Sequence, residues 1–312
     1  MRALITGGNG FVGKHLAATL RAQGGEVVTA GRAGDGGSVD LPLELNDAGS
    51  VRAALEQAQP EVVFHLAAQT FVPDATRDPL STYETNALGT ARLYEALRQL
   101  SARPPPRVLV ASSGEVYGAR DPAEQPLRED LPPRPATTYA ASKVASEAIA
   151  LASARTYGIP TIVTRAFNHI GPGQSERFAV ASFARGLAAI AAGAKPVLEV
   201  GNLAARRDLL DVRDVVEAYV AHAERGGAGE IYNVCSGTAV AIQEVLRQLI
   251  MTARVAVEVR EDPARLRPSD VPLAYGDNAK LRAATSWEPR YTLAQSLRDV
   301  YADARARVAT PS

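Results

Sequence analysis

A tyrosine and a lysine four residues apart are the side chains of this sequence best suited to acid–base chemistry. They are Tyr139 and Lys143, in the run YAASK, and a helix would place both on one face. A free tyrosine has a pKa near ~10, which is too high for easy proton exchange at neutral pH. A positive charge about 5 Å away, at an effective dielectric constant of ~20, contributes roughly 3 kcal/mol, or about two pKa units. We therefore expect Lys143 to bring the pKa of Tyr139 towards the operating pH of an acid–base catalyst.

Hydroxyl groups that follow a predicted strand extend this catalytic set. The run SSGEVYG at 112–118 comes directly after a strand predicted at 107–112, so its side chains emerge at the carboxyl end of the sheet. A serine hydroxyl there can donate a hydrogen bond to the substrate oxygen that Tyr139 also addresses. The chain contains only four lysines, which are Lys14, Lys143, Lys195 and Lys280. That scarcity makes the Tyr–Lys spacing more informative than it would be in a lysine-rich chain.

A glycine-rich turn near the start of the chain predicts a dinucleotide site. Gly7, Gly10 and Gly13 follow the first predicted strand in the spacing G-x-x-G-x-x-G, and Phe11 and Val12 open the helix after it. Glycines let the backbone turn tightly and approach a pyrophosphate, whose charge then meets the N-terminus of the helix.

The residue at the end of the second predicted strand indicates which dinucleotide binds. NAD-specific folds usually place an acid there to hold the ribose 2′-hydroxyl, whereas this chain has Arg32. A guanidinium can bind a 2′-phosphate through two parallel hydrogen bonds. NADP(H) is therefore favoured, with NAD(H) kept as a second possibility.

Alternation of short β-rich runs with longer amphipathic stretches predicts the α/β fold that positions these residues. The predicted buried parallel strands are Arg2–Thr6, Glu26–Ala30, Val62–Leu66, Arg107–Ser112 and Thr161–Arg165. The predicted helices between and after them are Phe11–Arg21, Asp47–Ala58, Leu80–Leu100 and Thr137–Tyr157. This order is typical of a Rossmann doubly wound parallel sheet.

Less regular sequence after residue 166 predicts a smaller C-terminal substrate lobe. We assign residues 1–165 and roughly 205–235 to the NADP-binding Rossmann domain. Residues 166–204 and 236–312 are assigned to the lobe that would bind the substrate.

Composition excludes several classes of partner. Lys and Arg together number 34 and so do Asp and Glu, so no net charge would attract nucleic acid or an anionic membrane. Cys235 is the single cysteine, which favours a reducing compartment. No apolar run approaches the length that spans a membrane. We therefore expect a cytoplasmic protein with no nucleic-acid or membrane partner and no metal.

Six motifs together resemble the extended short-chain dehydrogenase/reductase family of nucleotide-sugar enzymes over essentially the whole chain. They are GGNGFVG, HLAAQ, SSGEVYG, YAASK, RDLLDVRD and YNVCSG. The resemblance implies that Ser113 is the catalytic serine, that Tyr139 is the proton donor, and that Lys143 also holds the nicotinamide ribose. It further implies that Ala67 and Ala68 line the cofactor and that Glu44 and Leu45 lie near its adenine.

Within that family, two runs resemble the GDP-4-dehydro-6-deoxy-D-mannose reductases. They are FNHIGPGQ at 167–174 and QTFVPDATRDP at 69–79. The resemblance implies NADPH-dependent reduction of a GDP-linked 4-keto-6-deoxy sugar to GDP-D-rhamnose. It also implies that Arg207 and Arg267 bind the diphosphate with Asn168, and that helices 80–100 and 137–157 pair in a homodimer.

Four other functions remain open at the level of sequence. A reductase forming GDP-6-deoxy-D-talose would keep the same motifs. A GDP-mannose 4,6-dehydratase is possible because Glu115 occupies the position of the dehydratase glutamate, although Gly114 leaves no side chain before it. A nucleotide-sugar 4-epimerase holds NAD tightly, which Arg32 disfavours. A non-catalytic NADP-sensing protein typically lacks the Tyr or the Lys, and both are present here.

Overall fold

The computed structural model describes residues 1–32, 34, 37–100, 104–265 and 271–309. Its helices are α1 (Phe11–Ala22), α2 (Ala48–Ala58), α3 (Val72–Arg77), α4 (Pro79–Tyr83), α5 (Gly89–Gln99), α6 (Thr138–Tyr157), α7 (Ala179–Ala191), α8 (Val212–Arg225), α9 (Ile242–Ala253), α10 (Ala279–Thr285) and α11 (Leu293–Ala309). Its strands are β1 (Arg2–Thr6), β2 (Glu26–Gly31), β3 (Leu41–Pro42), β4 (Val62–His65), β5 (Arg107–Ser113), β6 (Thr161–Ala166), β7 (Asn168–Ile170), β8 (Val197–Val200), β9 (Arg206–Asp211), β10 (Ile231–Val234), β11 (Ala239–Ala241), β12 (Glu258–Glu261) and β13 (Leu273–Ala274).

Seven of these strands form one parallel sheet in the order β10-β6-β5-β4-β1-β2-β3. The chain starts at β1 in the interior of the sheet, winds outward through β2 and β3, and crosses back to β4. The position where the order reverses lies between β1 and β4, and open α/β sheets bind ligands at the carboxyl ends of the strands there. The predicted α/β doubly wound fold is confirmed.

Helices cover both faces of this sheet because its strands are apolar on both sides. Val63 and Phe64, consecutive in β4, are both fully buried and belong to cores on opposite faces. One core includes residues of α1 and α8, such as Leu16 and Val215. The other includes residues of α2 and α5, such as Leu55 and Leu93.

The predicted strand and helix limits are close to those observed, with two differences. All five predicted strands are present, and each begins at the predicted residue and ends within one residue of the predicted end. The strands β3 and β10, which complete the seven-stranded sheet, were not predicted. The single helix predicted at 80–100 is divided into α4, a π-helical turn at Glu84–Leu88, and α5. That turn adds a residue to the helical repeat and changes which side chains face inward.

A smaller lobe lies beyond the carboxyl ends of the large sheet's later strands. It contains a sheet in which β9 pairs with β7, β11 and β13, and a parallel pair of β8 and β12. Its core includes apolar side chains of α7, α9 and α11, such as Leu187, Leu249 and Leu297. The segment 205–235, assigned to the Rossmann domain, is shared between lobes, because β9 belongs to the small sheet while β10 extends the large one.

Candidate active site

The glycine turn is packed so tightly that side chains are excluded from it. Gly7 has φ +72°, and an ideal Cβ on it would lie 2.9 Å from the Ala67 Cα atom. A Cβ on Gly13 would lie 2.3 Å from the Gly7 carbonyl oxygen. Gly10 precedes α1 without a side-chain cap, so the first amides of the helix are available to an anion. The arrangement suits a pyrophosphate approached by bare backbone.

Phe11 and Val12, both predicted to contact the cofactor, occupy the first turn of α1. The Phe11 ring stacks on the His169 ring at 6.0 Å between centroids, with the planes 10° apart. It also meets the edge of the His15 ring at 5.5 Å. The side chain of Phe11 therefore contacts the segment after β6, which it meets at His169 in β7. Val12 is half-buried and packs against the core on the α1 face.

Arg32 lies at the carboxyl end of β2, directly beside the glycine turn. The Asn9 side-chain amide donates to the Arg32 carbonyl oxygen at 3.1 Å. Gly31 allows this approach, because a Cβ there would lie 2.6 Å from the Asn9 Oδ1 atom. The Arg32 side chain is exposed. The structure thus places a guanidinium group where an NAD-binding acid would stand.

Glu44 and Leu45 follow β3, which pairs with the end of β2. Glu44 is half-buried near Arg32's end of the sheet, and its amide donates to the Ser50 hydroxyl at 3.0 Å. Leu45 is buried and packs against Gly89, where α5 begins. Both predicted adenine-side residues therefore lie at the same sheet edge as Arg32.

Ala67 and Ala68 follow β4 on the other side of the glycine turn. The Ala67 amide donates to the Thr6 hydroxyl at 3.2 Å, which holds this segment against the end of β1. The same hydroxyl is 2.9 Å from the His65 Nδ1 atom. Burial lowers the pKa of His65 to about 3, with a further contribution from the Lys143 charge. His65 is therefore neutral and buried at neutral pH.

The end of β5 and the first turn of α6 bring Ser113, Tyr139 and Lys143 together. Thr137 caps α6 by accepting from the Ala140 amide at 3.1 Å, which fixes where the helix begins. Tyr139 is 9% exposed, Lys143 5% and Ser113 8%. The Lys143 amine lies 5.9 Å from the centre of the Tyr139 ring and donates to the Ala111 carbonyl oxygen at 2.8 Å. The nearby Ser113 hydroxyl acts on Tyr139 in the direction that lowers its pKa.

The expected lowering of the Tyr139 pKa is not observed. Burial raises the pKa of Tyr139 above its ordinary value, and the Glu115 charge raises it further. The Ser113 hydroxyl opposes the rise without cancelling it. Burial also lowers the pKa of Lys143 to about 8, while the Glu147 carboxylate acts in the opposite direction. The two-unit expectation failed because removing both groups from water disfavours both charges, which the Coulomb argument for a single pair omits.

Glu115 and Gly114 form the turn that follows Ser113. The Ser113 hydroxyl accepts from the Glu115 amide at 3.1 Å, and the Glu115 side chain is exposed. A Cβ on Gly114 would lie 3.0 Å from ring atoms of Phe167. The Phe167 ring therefore occupies the space beside Gly114 that a larger residue would need.

Asn168 and Arg207, two of the three predicted diphosphate residues, lie in the small sheet, apart from the catalytic set along the chain. Asn168 begins β7 and is exposed, and its partner across the ladder is Leu209, two residues after Arg207. Arg207 is half-buried in β9, and its guanidinium donates to the Arg206 carbonyl oxygen at 3.0 Å. Arg267 lies outside the described residues. The structure thus brings Asn168 and Arg207 to neighbouring strands.

Asn86 is a buried polar residue that the sequence reasoning missed. It lies in the π-helical turn and is 2% exposed. Its side chain donates to the Gln69 carbonyl oxygen and to the Ser142 hydroxyl, both at 2.9 Å, and accepts from the Gln69 amide at 2.8 Å. Asn86 thereby joins the segment after β4 to the helix that carries Tyr139. An asparagine inside an otherwise helical pattern was the available signal.

Comparison with known proteins assigns the family. Residues 4–300 match the family model described as GDP-mannose 4,6 dehydratase. A protein named GDP-6-deoxy-D-mannose reductase, from Pseudomonas aeruginosa, is 41% identical over 98% of both chains. A GDP-6-deoxy-D-talose 4-dehydrogenase from Aggregatibacter actinomycetemcomitans is 29% identical over 95% of both. The solved structure of RMD from P. aeruginosa complexed with NADPH superposes with a TM-score of 0.89 and 38% identity, covering 98% of this chain and 100% of that one.

Proposed function

This chain belongs to the GDP-mannose 4,6 dehydratase family of extended short-chain dehydrogenases/reductases, and we propose that it is an NADPH-dependent 4-ketoreductase. Its proposed substrate is GDP-4-dehydro-6-deoxy-D-mannose and its proposed product is GDP-D-rhamnose, which is GDP-6-deoxy-D-mannose. The observation that carries the proposal is the joint placement of Ser113, Tyr139 and Lys143 at the end of β5. Full-length identity of 41% to a protein named for this compound supports it.

The glycine turn and Arg32 are suited to hold NADPH. The absence of room for a Cβ at Gly7 and Gly13 leaves backbone amides as the phosphate-binding groups. Arg32 at the end of β2 would bind the 2′-phosphate, and Ala67 and Ala68 would line the opposite side. Bound NADPH supplies a hydride to the sugar ketone. NADH remains a weaker proposed alternative, since Arg32 is exposed and can move away.

Tyr139 would donate its phenolic proton to the carbonyl oxygen at C4 as that oxygen gains negative charge. The raised pKa of Tyr139 suits this role, because the phenol is fully protonated at neutral pH. Ser113 would donate a hydrogen bond to the same oxygen. The Lys143 ammonium would stabilise the phenolate that remains, and would hold the ribose of the cofactor.

The diphosphate of the substrate needs donors matched to its charge. Arg207 in β9 and Asn168 in β7 lie on neighbouring strands of the small sheet, and both are proposed to bind it. Arginine suits this role because its planar guanidinium can contact two phosphate oxygens at once. Arg267 is proposed as a further ligand.

One assay tests the proposed reaction. The purified protein is incubated with GDP-4-dehydro-6-deoxy-D-mannose and NADPH, and absorbance of the reduced nicotinamide is followed. Loss of one NADPH per sugar supports reduction, and proton coupling constants at C4 of the product then distinguish rhamnose from 6-deoxytalose. A talose product would leave the reductase class intact and correct its stereochemistry.

Dehydration is the second candidate because Glu115 lies close enough to Tyr139 to raise its pKa. Dehydration needs a base for the C5 proton and an acid for the C6 hydroxyl. Conversion of GDP-mannose with no net use of cofactor would support this activity. A sugar 4-epimerase would instead interconvert C4 epimers, also without net use of cofactor.

We also propose a homodimer in the cytoplasm. Apolar side chains are exposed along the segment from α4 to α5, where Leu80 is 81% exposed and Leu88 48%. Tyr157 at the end of α6 is 49% exposed. Pairing of these helices between two copies would cover them, and sedimentation velocity should give twice the chain mass of 32.9 kDa.

The single cysteine is buried, which suits the proposed location in a reducing compartment. No described helix is both long and apolar enough to cross a membrane.

A further inference from the structure

A buried ion pair lies one helical turn beyond Lys143. Glu147 of α6 accepts two hydrogen bonds from Arg165 of β6, at 3.0 Å from Nε and 2.8 Å from Nη2. Their side chains are 5% and 3% exposed. Taking two charges out of water costs more than their attraction returns in many proteins, so a pair this deeply buried calls for a reason beyond stability.

Glu147 and Lys143 form hydrogen bonds with consecutive residues of β5. The Lys143 amine donates to the Ala111 carbonyl oxygen, and the Ser112 hydroxyl donates to Glu147. Arg165 stands directly opposite Ser112 in the ladder between β5 and β6. Lys143, Glu147 and Arg165 therefore all meet β5 at Ala111 or Ser112, the two residues immediately before Ser113.

The charged and titratable groups near Lys143 come from α6, β4, β6 and the turn after β5. On α6 itself these are Tyr139, which is protonated, and Glu147. His65 of β4 is neutral, and Arg165 of β6 is cationic but directed at Glu147. Glu115 faces Tyr139. Glu147 is therefore the carboxylate whose charge supports a buried ammonium at Lys143.

We propose that Glu147 is a positioning residue that keeps the Lys143 amine charged and directed at the catalytic end of β5. Arg165 and Ser112 orient the Glu147 carboxylate through three hydrogen bonds. The importance of that charge for turnover rests on the proposed reductase function. The effect of Glu147 on Lys143 does not, because it follows from contacts within the protein.

The scarcity of lysine allows a direct test. Protein labelled with ¹³C at lysine Cε gives four side-chain signals, and Lys143→Met identifies the relevant one. We expect the titration midpoint of Lys143 to fall by roughly one pH unit in Glu147→Gln, because the buried ammonium loses its supporting charge. Glu147→Asp, which keeps the charge, should restore most of the midpoint.

Lys280 provides a matched control on the protein surface. Its amine also donates to a strand carbonyl, that of Ile231 at 2.8 Å, and to the carboxylate of Glu230 at 2.7 Å. Glu230→Gln removes a carboxylate from an exposed lysine, where solvent screens the pair. It should leave the Lys143 signal unchanged.

A double variant keeps the test decisive if Glu147→Gln does not fold. Glu147→Gln combined with Arg165→Met removes both charges, so neither partner is left buried alone. The Lys143 midpoint should again fall, by less than in the single variant. An unchanged midpoint in folded Glu147→Gln, or in the folded double variant, would overturn the proposal and leave Glu147 with a structural role only.

Kinetics then separate this inference from the proposed function. If the chain reduces the 4-keto sugar, the pH at which kcat declines on the alkaline side should be lower in Glu147→Gln than in the parent. This shift should match the shift of the Lys143 midpoint. A shifted midpoint in a protein that never oxidises NADPH with this sugar would support Glu147 and refute the reductase. An active enzyme whose alkaline limb and Lys143 midpoint both stay fixed in Glu147→Gln would support the reductase and refute the role of Glu147.

Discussion

Replacement of Tyr139 by phenylalanine removes a single oxygen atom from the proposed site. The ring stays in place at the first turn of α6, so packing is preserved. Tyr139 is 9% exposed, and the substitution removes the hydroxyl on which Ser113 acts. The loss of stability should not exceed about 1 kcal/mol, the net contribution typical of one side-chain hydrogen bond. The variant should therefore remain folded and should bind NADPH almost as well as the parent.

The effect on turnover should be much larger than the effect on stability. A positioned general acid typically contributes 10²- to 10⁴-fold, which corresponds to roughly 3 to 5 kcal/mol of transition-state stabilisation. We expect kcat to fall by that factor while the dissociation constant of NADPH changes less than about threefold. Stopped-flow measurement of NADPH oxidation gives the first quantity, and fluorescence titration gives the second.

Tyr94→Phe is the matched control. Tyr94 is 1% exposed, and its hydroxyl shares a hydrogen bond with the Thr161 hydroxyl at 2.9 Å. Thr161 begins β6, so this contact lies at the amino end of the strand, whereas the proposed site lies at the carboxyl ends. The control should lose a similar amount of stability and keep its kcat. If Tyr139→Phe retains kcat within tenfold of the parent, another group donates the proton and the assignment of Tyr139 is wrong.

Four further predictions concern the cofactor and pH. Gly13→Ala should abolish NADPH binding in fluorescence titration, because its Cβ would lie 2.3 Å from the Gly7 carbonyl oxygen; wild-type affinity would contradict the packing argument. Arg32→Ala should lower the ratio of kcat/KM for NADPH over NADH by tenfold or more, since it removes the proposed 2′-phosphate ligand, and an unchanged ratio would remove that role. The pKa of Lys143 is about 8 instead of the usual 10.5, so kcat should decline as pH rises through 8. The unfolded chain binds the Lys143 proton more tightly than the folded protein does. The contribution of Lys143 to the free energy of unfolding should therefore increase between pH 8 and 10.5. Urea titrations at several pH values measure this change.

Local sequence patterns predicted the sheet well because its strands are continuous apolar runs bounded by polar turns. β1 and the glycine turn are adjacent in the chain, so their geometry is encoded within a few residues. The π-helical turn at Glu84–Leu88 is different, because the sequence there fits an ordinary helix. Its extra residue is stabilised by contacts of Asn86 with Gln69 and Ser142, which lie 17 and 56 residues away along the chain. Such tertiary contacts leave no periodic signal.

The raised pKa of Tyr139 could not be predicted from the spacing of residues in the sequence either. The interval between Tyr139 and Lys143 indicates that the two groups are neighbours, but it carries no information on how much water reaches them. Both are buried, and desolvation is the largest contribution to the pKa of each. A pair that would be mutually stabilising in water therefore becomes a neutral phenol beside an amine whose pKa is near 8.

Reduction and oxidation make opposite demands on that phenol, and this bears on the choice among the candidate functions. A reductase needs a protonated Tyr139 when the ketone arrives, whereas an epimerase must first remove a proton from a sugar hydroxyl and so needs the phenolate. Burial and the Glu115 charge both favour the protonated form. An enzyme that began its cycle by oxidation would have to overcome both effects before its first step, while a ketoreductase starts from the state that the protein already stabilises. The electrostatics around Tyr139 therefore favour the reductase, independently of the arginine at the end of β2.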